Sequence, residues 1–430
     1  MSEATTAGPA SANSLGAGAP SDAGWFGGAS ALDGLLVLDL SRALAGPHAA
    51  MMLGDLGARI IKVEHPAGGD DARGWGPPFL YPDGAQREST YFLAANRNKE
   101  SIAVDLKSLA GQTTLSELIR RADVLVENFL TGVLDRLGFS VDRLFELNPR
   151  LIVLSVSGFG HDGPEGGRPG YDQIAQGEAG LMSVTGSAPD DMQRVGVPIA
   201  DLLAGIYGAY GVLAALYERR RTGRGQVVRT SLLAAVVGAH GFQGTAWTVA
   251  RQVGQAGGNH HPSISPYGLF RCRDGAVQIA CGNEGMWQRL CAEFDLDVNG
   301  EGLRTNTERV GHPDLVRKTL EDGFADETAP SLLTRLARAG VPAGQVRRID
   351  EVYQWEQTRS QGLLIDVEHV SLGRLTLPGP PLRFFDAVGA EAIRRRHHAP
   401  PALDQHGDAI RHELGQATQC GNRFAVGPDR

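Results

Sequence analysis

The 430-residue chain is poor in cysteine and has no two cysteines in C-x-x-C spacing. Cys272, Cys281, Cys291 and Cys420 are scattered, which excludes a disulfide framework or a thiolate zinc site as the organising feature. His260 and His261 lie near Cys272, but no ligand spacing joins them. Such sparse thiol usage predicts a reducing compartment, here the cytoplasm. Positive charge is not in excess either: the net charge of -8 argues against a broad nucleic-acid surface and leaves room only for a local basic pocket. Residues 1–30 are rich in Ala, Gly and Ser and lack both a basic start and an apolar core, so a disordered tail is expected in place of a targeting peptide. The longest apolar run, 202–217, contains three glycines and falls short of the ~20 apolar residues that a membrane span needs. A buried helix is expected there. Internal repeats are also absent. The turn after the first expected strand reads SRALAGPH, not G-x-G-x-x-G, which disfavours NAD and FAD.

What is present describes a soluble globular protein, with 42% apolar and 21% charged residues and a length that predicts more than one core. Short apolar runs at 35–40, 59–64, 101–106, 123–128 and 151–156 read as buried strands. Helical segments at 46–58, 111–121 and 141–147 alternate with them, and 221–240 adds a short strand and a buried helix. This alternation predicts an α/β fold, a doubly wound, mainly parallel sheet in a large domain. The expected division is a tail (1–30), the large domain (31–225), a linker with a glycine loop (226–262), a smaller α+β domain (263–345) and a return to the large domain with a C-terminal tail (346–430). Asp274-Gly275 marks a hairpin over 269–281, with helical segments at 284–294 and 313–339 after it.

Four features are candidates for chemistry. The connection 65–100 is too long for a compact domain, and with Trp75, Pro77, Pro78 and Phe79 too apolar for a solvated loop, so it is expected to pack on a partner or a pocket. Arg42, Arg97, Lys99, Lys107 and Arg136 fall at strand ends or loops; brought to one sheet edge they would bind phosphates. A glycine-rich stretch from Gly158 to Gly180 suits close approach of backbone N–H groups to a ligand, and Asp172 lies within it. Last, Asp201 heads the apolar run. It reads either as a cap on that helix or as a carboxylate nucleophile, held ionised by the helix dipole and facing an acyl group.

Five motifs in order complete the picture: LDGLLVLDLSRALAGPHAAMMLGDLGARIIKVEHPAGGDDARGW, NRNKESIAVDLK, ADVLVENF, GYDQIAQGEAGLMSVTG and VPIADLLAG. From about residue 32 to 414 the chain resembles the class III CoA-transferases, the CaiB/BaiF family, and is similar to the glutarate, malate and itaconate branch through GDDARGWGPPF and SISPY. The resemblance implies that Asp201 is the nucleophile, supported by Asp172 and covered by a glycine loop at Gly257-Gly258. It implies CoA contacts at Ala45, His65, Arg97, Asp105, Lys107, Asn128, Phe129 and Arg136. It further implies an acyl-CoA such as succinyl-CoA as donor, a small carboxylic acid as acceptor, no tightly bound cofactor and an interlocked homodimer. Racemases of the same family carry His-Asp where this chain has Tyr171-Asp172, and a phenol is a poor proton shuttle beside an imidazole. An acyl-CoA racemase and a non-catalytic CoA-binding protein remain the alternatives.

Overall fold

The computed structural model describes residues 30–385, 387 and 396–415; Cys420 and all of the predicted N-terminal tail except Ser30 lie outside the described residues. Six strands form one parallel sheet: β1 (Leu36–Asp39), β2 (Arg59–Glu64), β3 (Lys99–Ala103), β4 (Val124–Glu127), β5 (Ile152–Ser157) and β6 (Gln226–Ser231). Their order is β3-β2-β1-β4-β5-β6, so the winding reverses between β1 and β4. The helices that bear on the site are α1 (Ala45–Asp55), α2 (Leu109–Arg121), α3 (Val141–Leu147), α4 (Asp172–Glu178), α5 (Ile199–Thr222), α6 (Leu232–Gly238) and α7 (Gly241–Ala250).

Strand alternation divides the core into two layers. Val37, Ile60, Val126 and Leu154 face α1, α5 and α6. Leu38, Ile61, Leu125 and Val153 face α2 and α3, with Ile410 closing the same layer. The third strand begins at Lys99, two residues before the expected 101–106 run, because charged residues can enter a sheet when their partners are there. Lys99 Nζ donates to Asp39 Oδ2, the Pro47 carbonyl and Asn96 Oδ1, each at 2.8 Å. Arg59 pairs with Glu100 at 2.8 Å.

A second lysine joins the buried network. Lys62 Nζ lies 2.9 Å from Asp70 Oδ2 and 3.7 Å from Asp39 Oδ2, and donates to the Ser41 carbonyl at 2.9 Å. Burial opposes ionisation of Asp39, yet the two lysines hold its carboxyl below the usual range. Burial also pulls Lys99 down to about 8. Removing one member of such a set would strand the others without compensation.

Helix α5, the expected buried helix, turns a face of small residues inward. Ala200, Ala204, Gly208 and Ala215 are buried, and α5 packs on α1 and the sheet. A Cβ at Gly205 would stand 2.8 Å from the Ala45 carbonyl oxygen, so the backbones of α5 and α1 approach as closely as glycine alone permits. The helix is long and apolar enough to cross a bilayer by length and composition, but here its small face is part of the core. It ends at Gly223, in the left-handed region at φ 70°, and Arg219 near its end pairs with Asp123 at 2.8 Å.

A three-stranded antiparallel sheet follows, made of β7 (Tyr267–Cys272), β8 (Gly275–Ala280) and β9 (Ala343–Gln345). Its own core holds Phe270, Val277, Trp287, Leu320, Phe324 and Leu336. The single helical segment expected over 313–339 is two helices, Pro313–Phe324 and Ala329–Arg338, because the Thr328 hydroxyl caps the second by accepting from Ser331 N–H at 3.3 Å. Residues 398–411 then return to the open side of β3. Asp404 Oδ1 accepts from Ala103 N–H at 2.8 Å, and the His406 N–H donates to the Ser101 carbonyl at 3.0 Å.

The α1–α5 contact sets a stability test. Gly205→Ala forces a methyl group against the Ala45 carbonyl and is expected to cost about 1–3 kcal/mol. A lowered urea midpoint with an unchanged m-value checks it.

Candidate active site

Loops at the carboxyl ends of parallel strands, where strand order reverses, form the natural crevice of this topology. A cavity of about 830 Å³ lies there. Residues after β1 (Arg42, Ala43, Ala45), β2 (His65) and β3 (Asp105, Lys107) line it. Those after β4 (Asn128, Phe129) and β5 (Ser157, Gly158) continue the wall, and Tyr171, Asp172, Arg194 and Asp201 complete it.

The loops are tied together by side chains. Asn128 Oδ1 accepts from the Arg42 N–H and its Nδ2 donates to the Arg42 carbonyl, both at 2.8 Å. This clamp joins the β1 and β4 loops across the reversal, and the Arg42 guanidinium lies 5.7 Å from the centre of the Phe129 ring. In the glycine-rich stretch a Cβ at Gly158 would meet the Gly170 nitrogen at 2.7 Å, so two backbones close the loop where side chains would hold it open. The long excursion after β2 does pack on the pocket: Trp75 and Tyr91 both line the cavity, edge to face at 5.0 Å.

Asp201 is not the cap of α5. The N-cap position is Pro198, which contributes no side-chain bond, and Asp201 stands in the first turn. Its place as acceptor is taken by Asp172, from the first turn of α4. Asp172 Oδ1 accepts from the Ala200 N–H at 2.8 Å and the Asp201 N–H at 3.3 Å. Buried Gln176 holds the other oxygen, donating from Nε2 to Asp172 Oδ2 at 2.7 Å, while its Oε1 accepts from the Val195 N–H at 2.9 Å. The free first-turn N–H groups that would have drawn a carboxylate are therefore satisfied by another residue. Among the described residues, no hydrogen-bond donor reaches the Asp201 carboxylate.

That isolation has an electrostatic consequence opposite to the expectation of a dipole-ionised carboxylate. Burial, with the neighbouring charge of Asp172 added, pushes Asp201 up to about 7. Tyr91 is pushed up to about 12 by burial and by the charge of Asp201, which marks the phenol as a neighbour of that carboxylate.

Ala45, His65, Asp105, Lys107, Asn128, Phe129, Asp172 and Asp201 thus share one cavity. Five other expected residues do not line it. Arg97 is buried against Asp55 at 2.6 Å and donates to the Pro378 carbonyl, so its charge serves the interior. Lys99, expected among the surface cations, is likewise interior. Arg136 is exposed on the short helix Val133–Arg136, of which Val133 lines the cavity. Gly258, after Gly257, lies on the 186–192 turn, where its N–H donates to the Gly186 carbonyl at 2.8 Å. Sequence reasoning missed Gln176, Tyr91 and Arg194. Gln176 had a legible signal in its i, i+4 spacing from Asp172. Tyr91 and Arg194 are loop or excursion residues with no periodicity to betray them.

Residues 32–407 match the model of CoA-transferase family III, and the chain belongs to that family. It is a class III CoA-transferase. The chain is 36% identical over 385 residues to the human succinyl-CoA:glutarate CoA-transferase, covering 89% of this chain and 86% of the human protein. It is 39% identical over 340 residues to the succinate–glutarate CoA-transferase of Agrobacterium fabrum, covering 78% and 85%. A crystal structure of a CaiB/BaiF family protein from Brucella suis superposes with a TM-score of 0.78 at 37% identity, over 90% of this chain and 99% of that one.

The raised Asp201 pKa has two expected outcomes. If ionised Asp201 attacks substrate, kcat/KM falls as pH drops below about 7, and Asp172→Asn moves that limb to lower pH by removing the like charge. The folded-state pKa stands above the ordinary 3.8, so folding favours the protonated carboxyl. The cost of ionising it is absent below about pH 4 and complete above about pH 7. Asp201→Asn is therefore expected to melt above wild type at pH 8 and level with it near pH 4, read by thermal melts across pH.

Proposed function

We propose that the enzyme moves coenzyme A from a small acyl-CoA, succinyl-CoA foremost, to a small dicarboxylic acid through covalent intermediates on Asp201. The observation that carries this reading is the Asp201 carboxylate itself. It lines the cavity, is bound by no donor among the described residues, and is raised by burial to about 7. A carboxylate stripped of hydrogen bonds and water is a stronger nucleophile than a solvated one. Curated relatives named for succinyl-CoA and glutarate support the choice of donor and acceptor.

The chemistry closes without an added cofactor, acyl-CoA being a substrate. Asp201 attacks the thioester carbonyl, the C–S bond breaks, and a mixed anhydride forms with CoA thiolate beside it. The thiolate attacks the aspartyl carbonyl, releasing the donor acid and leaving an aspartyl-CoA thioester. The acceptor carboxylate attacks that thioester and expels the thiolate. The thiolate then attacks the acceptor carbonyl of the second anhydride, giving the new acyl-CoA and free Asp201. No proton moves in any step, which suits a site without an imidazole beside the acid: Tyr171 precedes Asp172 and is 66% exposed. Arg42 and Lys107 supply the positive edge that the CoA phosphates need, and His65 lines the same wall.

Two copies of the chain are part of the same proposal. Tyr210, Phe242 and Trp247 leave α5 and α7 with exposed aromatic surface, of the kind that a second subunit covers. Light scattering is expected to read twice the 45.6 kDa chain mass.

Incubation with succinyl-CoA and a panel of acids, followed by mass analysis of the acyl-CoA pool, tests the reaction. New dicarboxyl-CoA species are expected, and α-deuterium wash-in without new species would mean a racemase instead. Asp201→Asn is expected to lower transfer by on the order of 10⁴-fold or more. Hydroxylamine is expected to trap Asp201 only after acyl-CoA is added; parent-rate transfer by the variant would sink the assignment.

A further inference from the structure

A dicarboxylate acceptor brings a second negative charge into a cavity that already holds Asp172 and Asp201. With the reacting carboxylate at Asp201, the distal one requires a fixed cation nearby, or the two acids repel it. Two of the lining cations, Arg42 and Lys107, come from the loops after β1 and β3 and are taken by the CoA phosphates in the reading above. Two arginines remain, Arg168 and Arg194.

Arg168 is already neutralised. Its guanidinium pairs with Glu165 at 3.1 Å and Glu178 at 2.7 Å, and lies 4.3 Å from the centre of the Phe159 ring. Arg194 is different. Its Nη1 donates to the carbonyls of Val195 at 3.0 Å and Gly196 at 3.2 Å, and among the described residues no carboxylate pairs with it. The Nε and Nη2 edge is left for a ligand, and that edge matches a carboxylate with two parallel bonds.

Its position is tied to the nucleophile by a chain of hydrogen bonds. Arg194 holds the Gly196 and Val195 carbonyls; the Val195 N–H is held by Gln176; Gln176 holds Asp172; Asp172 holds the Asp201 N–H. A chain of hydrogen bonds therefore links the exposed Arg194 to the nucleophile at the head of α5. We propose that Arg194 is the specificity residue of the acyl pocket, receiving the distal carboxylate of the dicarboxylate while the other end reacts at Asp201. This rests on the dicarboxylate reading of the reaction and adds the residue that enforces it. Donor and acceptor acyl groups occupy the pocket in turn, so the same arginine reads succinyl-CoA and the acceptor.

The test compares glutarate with its monomethyl ester, which keeps the chain length and removes the distal charge. Wild type is expected to prefer glutarate in kcat/KM. Arg194→Gln is expected to lower kcat/KM for glutarate about 30- to 100-fold, mainly through KM, and to change that for the ester less than about threefold. Arg194→Lys, which keeps the charge but not the fork, is expected to recover part of the loss. Equal losses for both acceptors would mean that Arg194 only holds the loop, and no loss would mean another cation reads the charge; either overturns the proposal. A wild type that transfers CoA yet shows no preference for glutarate over the ester overturns the dicarboxylate reading itself, so the two failures are told apart.

Discussion

One carboxylate decides how this site works, and it is Asp172, which is not the expected nucleophile. By accepting the Ala200 and Asp201 N–H groups it does what a helix cap does, from outside the helix. The acid within the first turn is then released from capping and turned to the cavity. Had Asp201 satisfied those N–H groups itself, it would have been hydrogen-bonded and of ordinary acidity. Its separation from them leaves burial and like charge to set its proton affinity. Gln176 makes the arrangement rigid, since it grips both Asp172 and the strand of chain that leads into α5.

The same division of labour recurs among the cations. Lys62 and Lys99 are wholly buried and tie β1, β2, β3 and the Asp70 loop into one body. Arg97 does the same for α1 through Asp55. Arg42 and Lys107, a few residues away in sequence, stay at the cavity wall. Interior charges build the platform and wall charges face the ligand. Nothing in residue type distinguishes them; the interior cations are buried with their acids, whereas Arg42, 3.9 Å from Asp71, stays exposed with its partner.

That explains what was legible beforehand. The sheet was readable because β1, β4 and β5 are nearly unbroken apolar runs, and α3 was placed to the residue because Ser140 caps it locally. The cavity-facing loops were readable as candidates because topology sends them to one edge. What escaped is pairwise and distant: the start of β3 depends on Asp39, some sixty residues earlier, and the role of Asp172 depends on a helix that begins twenty-seven residues later. Gly257-Gly258 resembled a covering loop by motif, yet in the single chain it is bound to Gly186.

The return of residues 398–411 to β3 bears on the order of assembly. The edge of the sheet is covered through Ala103 and Asp404, partners separated by 301 positions. During synthesis at ~5–20 residues per second, the amino-terminal strands emerge well before that cover exists, with an unpaired parallel edge in the meantime. The sheet that carries the site is therefore among the first parts made and among the last to be closed.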